Sequence, residues 1–92
     1  EPASDLATVL AIASSFFDKP IDAGMAAIGE VGLTGEIRSV TSINQRLSEI
    51  HRLGFTSCIV PEHSKAKITV PAGLKIIPVK SIRTAISFAL GL

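Results

Sequence analysis

The 92-residue chain is 47% hydrophobic and carries a net charge of +1, which excludes a disordered segment and favours a single small globular domain. The absence of Trp and Tyr argues against a surface that binds nucleic acid by stacking bases on aromatic rings. A single cysteine, Cys58, excludes an internal disulfide and a cysteine-based zinc site, and it fits a reducing cytoplasmic compartment.

The N-terminal segment has the features of neither a signal peptide nor a membrane span. It begins with Glu1 rather than Met, and no basic stretch precedes its apolar run at residues 6–17. That run is shorter than the roughly 20 residues that cross a bilayer, and Ser and Thr interrupt it. We therefore expect a fragment of a longer cytoplasmic protein that has no membrane partner.

Residues 1–20 predict a first helix. Pro2 suits its first turn, and Asp5 suits the positive end of the helix dipole. Apolar residues recur at helical spacing and the opposite face is mostly small, so we expect burial on more than one side; the apolar residues are Leu6, Val9, Leu10, Ala13, Phe16 and Phe17. The helix should end before Pro20, because proline disfavours helical geometry in the residue that precedes it.

The middle of the chain predicts a β-hairpin followed by a second helix. GMAAIGEV and EIRSV are the two strands, and the turn at Gly32 to Gly35 joins them. The helix should follow Ser42, because a serine with Gln45 three residues later is the pattern of a capping box. The polar face of this helix carries Gln45, Arg46, Glu49 and Arg52.

The last part of the chain predicts a strand over residues 55–61, a polar connection over 62–73, a strand over 74–79 and a helix capped by Ser81. The order α, β-hairpin, α, β, β, α predicts a single α/β domain over residues 1–92. In it, three helices should pack on a small mixed sheet, with right-handed crossovers between parallel strands.

The sequence contains no conventional catalytic or metal-binding motif. His51 and His63 lie far apart, and no carboxylate or cysteine stands at metal-ligand spacing, so we expect no metal site. Ser4 beside Asp5 is a conceivable hydrolase nucleophile, although a polar residue in the first helical turn is the simpler interpretation. The glycines match neither a dinucleotide fingerprint nor a phosphate loop, so no cofactor is expected in this chain.

Four basic residues are the candidates for contact with DNA phosphates. Lys65 and Lys67 cluster in the polar connection, and Lys80 and Arg83 flank the start of the last helix. Basic residues usually form solvated surface, and a phosphate-binding patch is the alternative interpretation.

Four stretches resemble one protein family in their order and spacing: EPASDLATVLAIASSFFDKP, GEVGLTGEIRSV, RLSEIHRLGFTSCIVPEHS and IIPVKSIRTAISFAL. Together they are similar to the C-terminal half of the Lon-protease-like domain of the RadA/Sms bacterial DNA repair family. The resemblance implies a layered, ribosomal-protein-S5-domain-2-like α/β fold. It also implies a parent protein with a zinc finger and a RecA-like, DNA-dependent ATPase. That parent would bind ATP, Mg²⁺ and Zn²⁺ outside this chain, form a hexameric ring and process recombination intermediates on DNA.

True Lon proteases use a Ser-Lys dyad, and the resemblance locates both of its positions. The catalytic lysine corresponds to Asn44, whose amide has no basic nitrogen to take a proton from a serine. The nucleophile corresponds to Ala3, with Ser4 one residue away, which is a rotation of roughly 100° on a helix. Arg46 cannot replace the lysine, since a guanidinium stays protonated. We expect Ala3 and Asn44 to lie close together and to line a shallow polar pocket.

These departures favour a non-catalytic scaffold domain that supports ring assembly and contacts DNA. The alternative is the proteolytic domain of an ATP-dependent serine protease, in which Ser4 would be the nucleophile. A ring joins two different surfaces of each copy. The candidates for these assembly surfaces are the polar face of the second helix and the turn at Gly32 to Gly35.

Overall fold

The computed structural model describes residues 2–92. These residues form three α-helices, α1 (Asp5–Phe17), α2 (Ile43–Arg52) and α3 (Ile82–Leu90), and five strands, β1 (Met25–Ala27), β2 (Glu30–Val31), β3 (Ile37–Arg38), β4 (Ser57–Pro61) and β5 (Lys75–Val79). Short 3₁₀ segments cover Pro2–Ser4 and Glu62–Lys67. The predicted α/β class, with three helices around a small sheet, is confirmed.

Strand β4 lies at the centre of a parallel sheet in the order β1-β4-β5. Ala27 pairs with Ile59 on one side of it, and Val79 pairs with Pro61 on the other. Strands β2 and β3 pair with each other in an antiparallel ribbon. The predicted antiparallel hairpin is thus present, but it forms a separate two-stranded sheet. The main sheet is therefore parallel and not mixed as predicted.

Gly29 explains why the strand predicted over residues 24–31 divides into β1 and β2. Its N–H donates to the Ala3 carbonyl and its carbonyl accepts from the Leu6 N–H, both at 3.0 Å, so its backbone pairs with the start of the first helix. A side chain is excluded as well, because a Cβ at Gly29 would lie 2.7 Å from Cγ2 of Ile37. The start of α1 is thereby fixed against the end of β1.

The β2–β3 ribbon is joined to the end of β5 by backbone hydrogen bonds. The Ile37 N–H donates to the Lys80 carbonyl at 2.9 Å, and the Ile82 N–H donates to the Gly35 carbonyl at 2.8 Å. These bonds place the ribbon and its turn beside the start of α3.

The side chains of β4 alternate between two layers, so the strand is buried on both faces. Ile59 belongs to a buried cluster that includes side chains of α1 and α3. Cys58 and Val60 belong to a second cluster that includes Ile43 and Leu47 of α2. The helices α1 and α3 therefore cover one face of the sheet, and α2 covers the other.

Helix α1 is buried along one side only. Its buried residues are Leu6, Leu10 and Ala13, whereas Ile12 and Phe16 are 65% and 81% exposed. The prediction of burial on more than one side is wrong for the described residues, because the sheet and α3 lie against a single face. The predicted end of the helix before Pro20 is confirmed, since its last residue is Phe17.

The two later helices begin in different ways. Ser81 is extended, and its Oγ accepts from the Thr84 N–H at 3.2 Å, which confirms the predicted cap. Ser42 is left-handed, with φ 57° and ψ 40°, and its side chain caps no N–H within residues 2–92. The capping box predicted for Ser42 and Gln45 is therefore wrong, because a capping oxygen normally approaches the helix from an extended backbone.

This difference predicts opposite effects of two substitutions. Ser81→Ala should lower the free energy of unfolding by about 1 kcal/mol, the usual contribution of a serine cap. Ser42→Gly should leave that free energy unchanged or raise it by up to about 1 kcal/mol, because glycine adopts positive φ without strain. Urea unfolding of the protein and both variants provides the comparison. An equal loss of stability in the two variants would show that Ser42 also caps its helix.

Candidate functional site

The carboxyl edge of the parallel sheet brings together the starts of the helices. Helix α3 follows β5 directly, and the start of α1 is bonded to Gly29, two residues beyond β1. Ser42, which precedes α2, lines the same cleft as Ala3 and Ile28. Since helix N-termini carry unpaired N–H groups and partial positive charge, this edge favours anionic ligands. Ligands of open α/β sheets commonly bind at such an edge.

The four basic candidates follow the two strands that end together at this edge. Pro61 and Val79 are paired as the last residues of β4 and β5. The 3₁₀ segment after Pro61 carries Lys65 and Lys67, and the residues after Val79 include Lys80 and Arg83; all four side chains are exposed. The topology thus assigns both predicted groups to one edge of the sheet, although their contact with DNA stays a prediction.

A cleft of about 530 Å³ opens between the start of α1, the end of β1 and the α2 helix. Its lining includes Ala3, Ser4, Ile28, Gln45, Arg46 and Glu49. The degenerate serine position therefore does lie in a cleft. The described residues that line it include no lysine and no histidine, so they offer no neutral amine or imidazole that could act as a base.

Asn44 does not line this cleft. Its Nδ2 donates to the Lys67 carbonyl at 3.1 Å, and its Oδ1 accepts from the Thr69 N–H at 2.7 Å. The side chain is therefore engaged with the connection between β4 and β5. The expectation that Asn44 and Ala3 line one polar pocket is wrong. Successive residues of a helix are rotated by roughly 100°, so Gln45 faces the cleft while Asn44 faces the connection between β4 and β5.

Three of the four polar residues on α2 proposed for assembly face the cleft: Gln45, Arg46 and Glu49. The Arg46 Nε donates to the Thr41 carbonyl at 2.9 Å, and Glu49 forms an ion pair with Arg52. Their sequence spacing correctly places them on one side of α2. The sequence spacing does not show that this side of α2 lies next to β1, the edge strand of the sheet. That proximity is evident only in the tertiary structure.

The turn at Gly32 to Gly35 is built around the carboxylate of Glu36. Its Oε1 accepts from the hydroxyl of Thr34 at 2.6 Å and from the N–H of Thr34 at 3.1 Å, and its Oε2 accepts from the Arg38 guanidinium at 3.2 Å. A Cβ at Gly32 would lie 2.1 Å from this carboxylate. The tip residue Leu33 is fully exposed. The carboxylate thus fixes the conformation of a surface turn whose tip is apolar.

The titration of Glu36 predicts a pH dependence of stability. The pKa of Glu36 is lowered from 4.5 to about 2, mainly by the hydrogen bond from the Thr34 hydroxyl. Backbone N–H groups and the Arg38 guanidinium lower it further. Because the folded pKa lies below the unfolded one, the stabilisation is complete above pH 4.5 and is lost as the pH falls through about 2. Glu36→Gln should reduce the slope of unfolding free energy against pH in that interval, as urea unfolding at a series of pH values would show. An unchanged slope would contradict the assignment.

Neither a reactive thiol nor a metal cluster is found in the described part of the chain. Burial raises the pKa of the Cys58 thiol to about 12, so it is protonated and poorly nucleophilic. No group of His, Cys, Asp and Glu side chains within residues 2–92 is arranged to hold a metal ion. Over the same residues, no helix has the length and apolar character needed to cross a membrane.

Comparison with known proteins identifies a family and several relatives. The family described as Lon protease (S16) C-terminal proteolytic domain matches residues 1–91. The chain is 49% identical over 83 residues to DNA repair protein RadA of Streptococcus pneumoniae, which covers 90% of the chain and 20% of that relative. It is 48% identical over 86 residues to RadA of Mycolicibacterium smegmatis (94% and 18%) and 46% identical over 91 residues to RadA of Bacillus subtilis (99% and 20%). The chain thus spans about a fifth of the length of these relatives.

Proposed function

Because this chain belongs to the family of Lon protease (S16) C-terminal proteolytic domains, we propose that it is a non-catalytic member of that family within a RadA-type DNA repair protein. Its role there is to contact DNA and to support assembly of the parent protein. The identity of 46–49% to proteins named DNA repair protein RadA supports the choice of parent.

The observation that carries this proposal is the state of the two dyad positions. Ala3 supplies no nucleophile, and Asn44 supplies no amine and is hydrogen-bonded to the backbone at Lys67 and Thr69. A Ser-Lys mechanism requires both a hydroxyl and a neutral amine that can remove its proton. Both the nucleophile and the base of the dyad are therefore missing, each because of a different residue.

The arrangement of charge supports contact with DNA. Lys65, Lys67, Lys80 and Arg83 follow neighbouring strand ends and are exposed. Side chains of this kind neutralise phosphates without reading the base sequence. We therefore assign the carboxyl edge of the sheet to the phosphate backbone of DNA in this proposal.

Assembly is assigned to other surfaces. The polar side of α2 and the turn at Gly32 to Gly35 lie on separate elements, as the two surfaces of a head-to-tail ring must. We propose that the parent forms a hexameric ring in the cytoplasm and binds ATP, Mg²⁺ and Zn²⁺ through domains outside this chain.

A salt titration of DNA binding tests the assignment. In the intact protein, Lys65→Ala with Lys67→Ala should weaken binding to DNA of any sequence. The slope of log K against log salt should flatten by about 1.8 for duplex DNA, at roughly 0.9 for each lost phosphate contact. Lys19→Ala with Lys75→Ala is the matched control, because it removes the same charge from exposed residues that follow α1 and begin β5, away from the carboxyl edge. Equal effects of the two double variants would refute the proposed DNA surface.

The second candidate is an ATP-dependent serine protease, which the family description and the position of Ser4 in a cleft both favour. We expect the intact protein, incubated with ATP and unfolded casein, to release no fragments. Ser4→Ala serves as the matched variant. Cleavage that disappears in Ser4→Ala would establish the protease and exclude the non-catalytic assignment.

A further inference from the structure

The connection between β4 and β5 is attached to α2 through the side chain of Asn44. Within residues 2–92, the hydrogen bonds that join the backbone of residues 67–70 to α2 are those from Nδ2 to the Lys67 carbonyl and from the Thr69 N–H to Oδ1. The two backbone groups flank Ile68, so the amide binds this segment as the backbone of a neighbouring strand would. Ile68 itself packs against the core cluster beneath α2.

The anchor point is itself well fixed. Asn44 is the second residue of α2 and lies between Ile43, which is 8% exposed, and the helical turn of Leu47, which is fully buried. The far end of the connection is close to the same helix, because a Cβ at Gly73 would lie 3.6 Å from Nε2 of His51. Helix α2 therefore binds the connection near its middle, at Lys67 and Thr69, and lies close to its end at Gly73.

The pair of hydrogen bonds requires a side chain that both donates and accepts. Asparagine does so in one planar group, whereas aspartate has no donor for the Lys67 carbonyl and lysine has no acceptor for the Thr69 N–H. A lysine at this position would therefore leave the Thr69 N–H without its present acceptor. Support of this connection and service as a catalytic base are thus incompatible roles for one residue.

We infer that Asn44 is a positioning residue that holds the segment from Lys65 to Thr69 in place and so orients Lys65 and Lys67 toward DNA. The inference rests on the proposed DNA contact but makes a separate statement about the conformation of the segment. The Lys67 carbonyl belongs to one of these lysines, and Lys65 lies two residues before it in the same 3₁₀ segment. Loss of the amide would release the backbone that carries both charges.

Hydrogen exchange tests the conformational part without DNA. In the intact protein, Asn44→Ala should accelerate exchange of the Thr69 amide by about 10-fold or more, because its acceptor is removed. Ser48→Ala is the matched control, since Ser48 is an exposed polar residue on the same helix. Asn44→Asp retains the acceptor and should slow Thr69 exchange relative to Asn44→Ala. Unchanged exchange in Asn44→Ala would overturn the inference.

DNA binding tests the functional part through a double-mutant cycle. Asn44→Ala should weaken DNA binding in the native background but add no loss when Lys65 and Lys67 are already alanine. Equal losses in both backgrounds would overturn the positioning role. If the lysine substitutions alone leave DNA affinity unchanged, the proposed DNA contact fails, and the exchange rate still decides whether Asn44 anchors the segment.

Discussion

The parallel pairing of β4 between β1 and β5 is the constraint on which the other features depend. The strand has buried residues on both faces, so each helix has to cover one side of it. Parallel neighbours also require crossover connections, and the elements of these crossovers begin at the carboxyl ends of the strands. The helix starts, the cleft and the four basic residues therefore meet at one edge as a consequence of how a single strand is paired. The proximity of these basic residues to the helix starts therefore results from the topology of the sheet.

The cleft contains one of the two positions that the resemblance to Lon proteases assigns to a catalytic dyad. Ala3 still lies where the first helix meets the end of β1, because the backbone of Gly29 bonds to it. The opposing helix still borders the same opening through Gln45 and Arg46. Ala3, at the position assigned to the nucleophile, thus lines the cleft, whereas Asn44, at the position assigned to the lysine, is hydrogen-bonded to the backbone of Lys67 and Thr69. Asparagine at position 44 therefore makes two backbone hydrogen bonds that a lysine could not both make, and it offers no amine that could act as a base.

Much of the fold could be predicted from sequence patterns, and the failures have specific physical causes. The helices follow from apolar spacing, and the Ser81 cap follows from a local rule that its extended backbone satisfies. Ser42 satisfies the same rule in sequence but is left-handed, and no local pattern reports that conformation. Gly29 divides a continuous apolar strand because of contacts with Ala3 and Leu6, which are distant in sequence. The position of Asn44 could be carried over from a family, but its partners lie more than 20 residues away and become evident only in three dimensions.

The buried thiol of Cys58 has a consequence for how this domain responds to oxidants. Oxidants react with the thiolate form of cysteine far faster than with the protonated thiol. Cys58 is fully buried in the central strand, and its pKa near 12 keeps it protonated at neutral pH. Oxidation there would place a polar group in the packed layer beneath α2. Burial of Cys58 therefore protects the packing of the central strand against oxidation of this side chain.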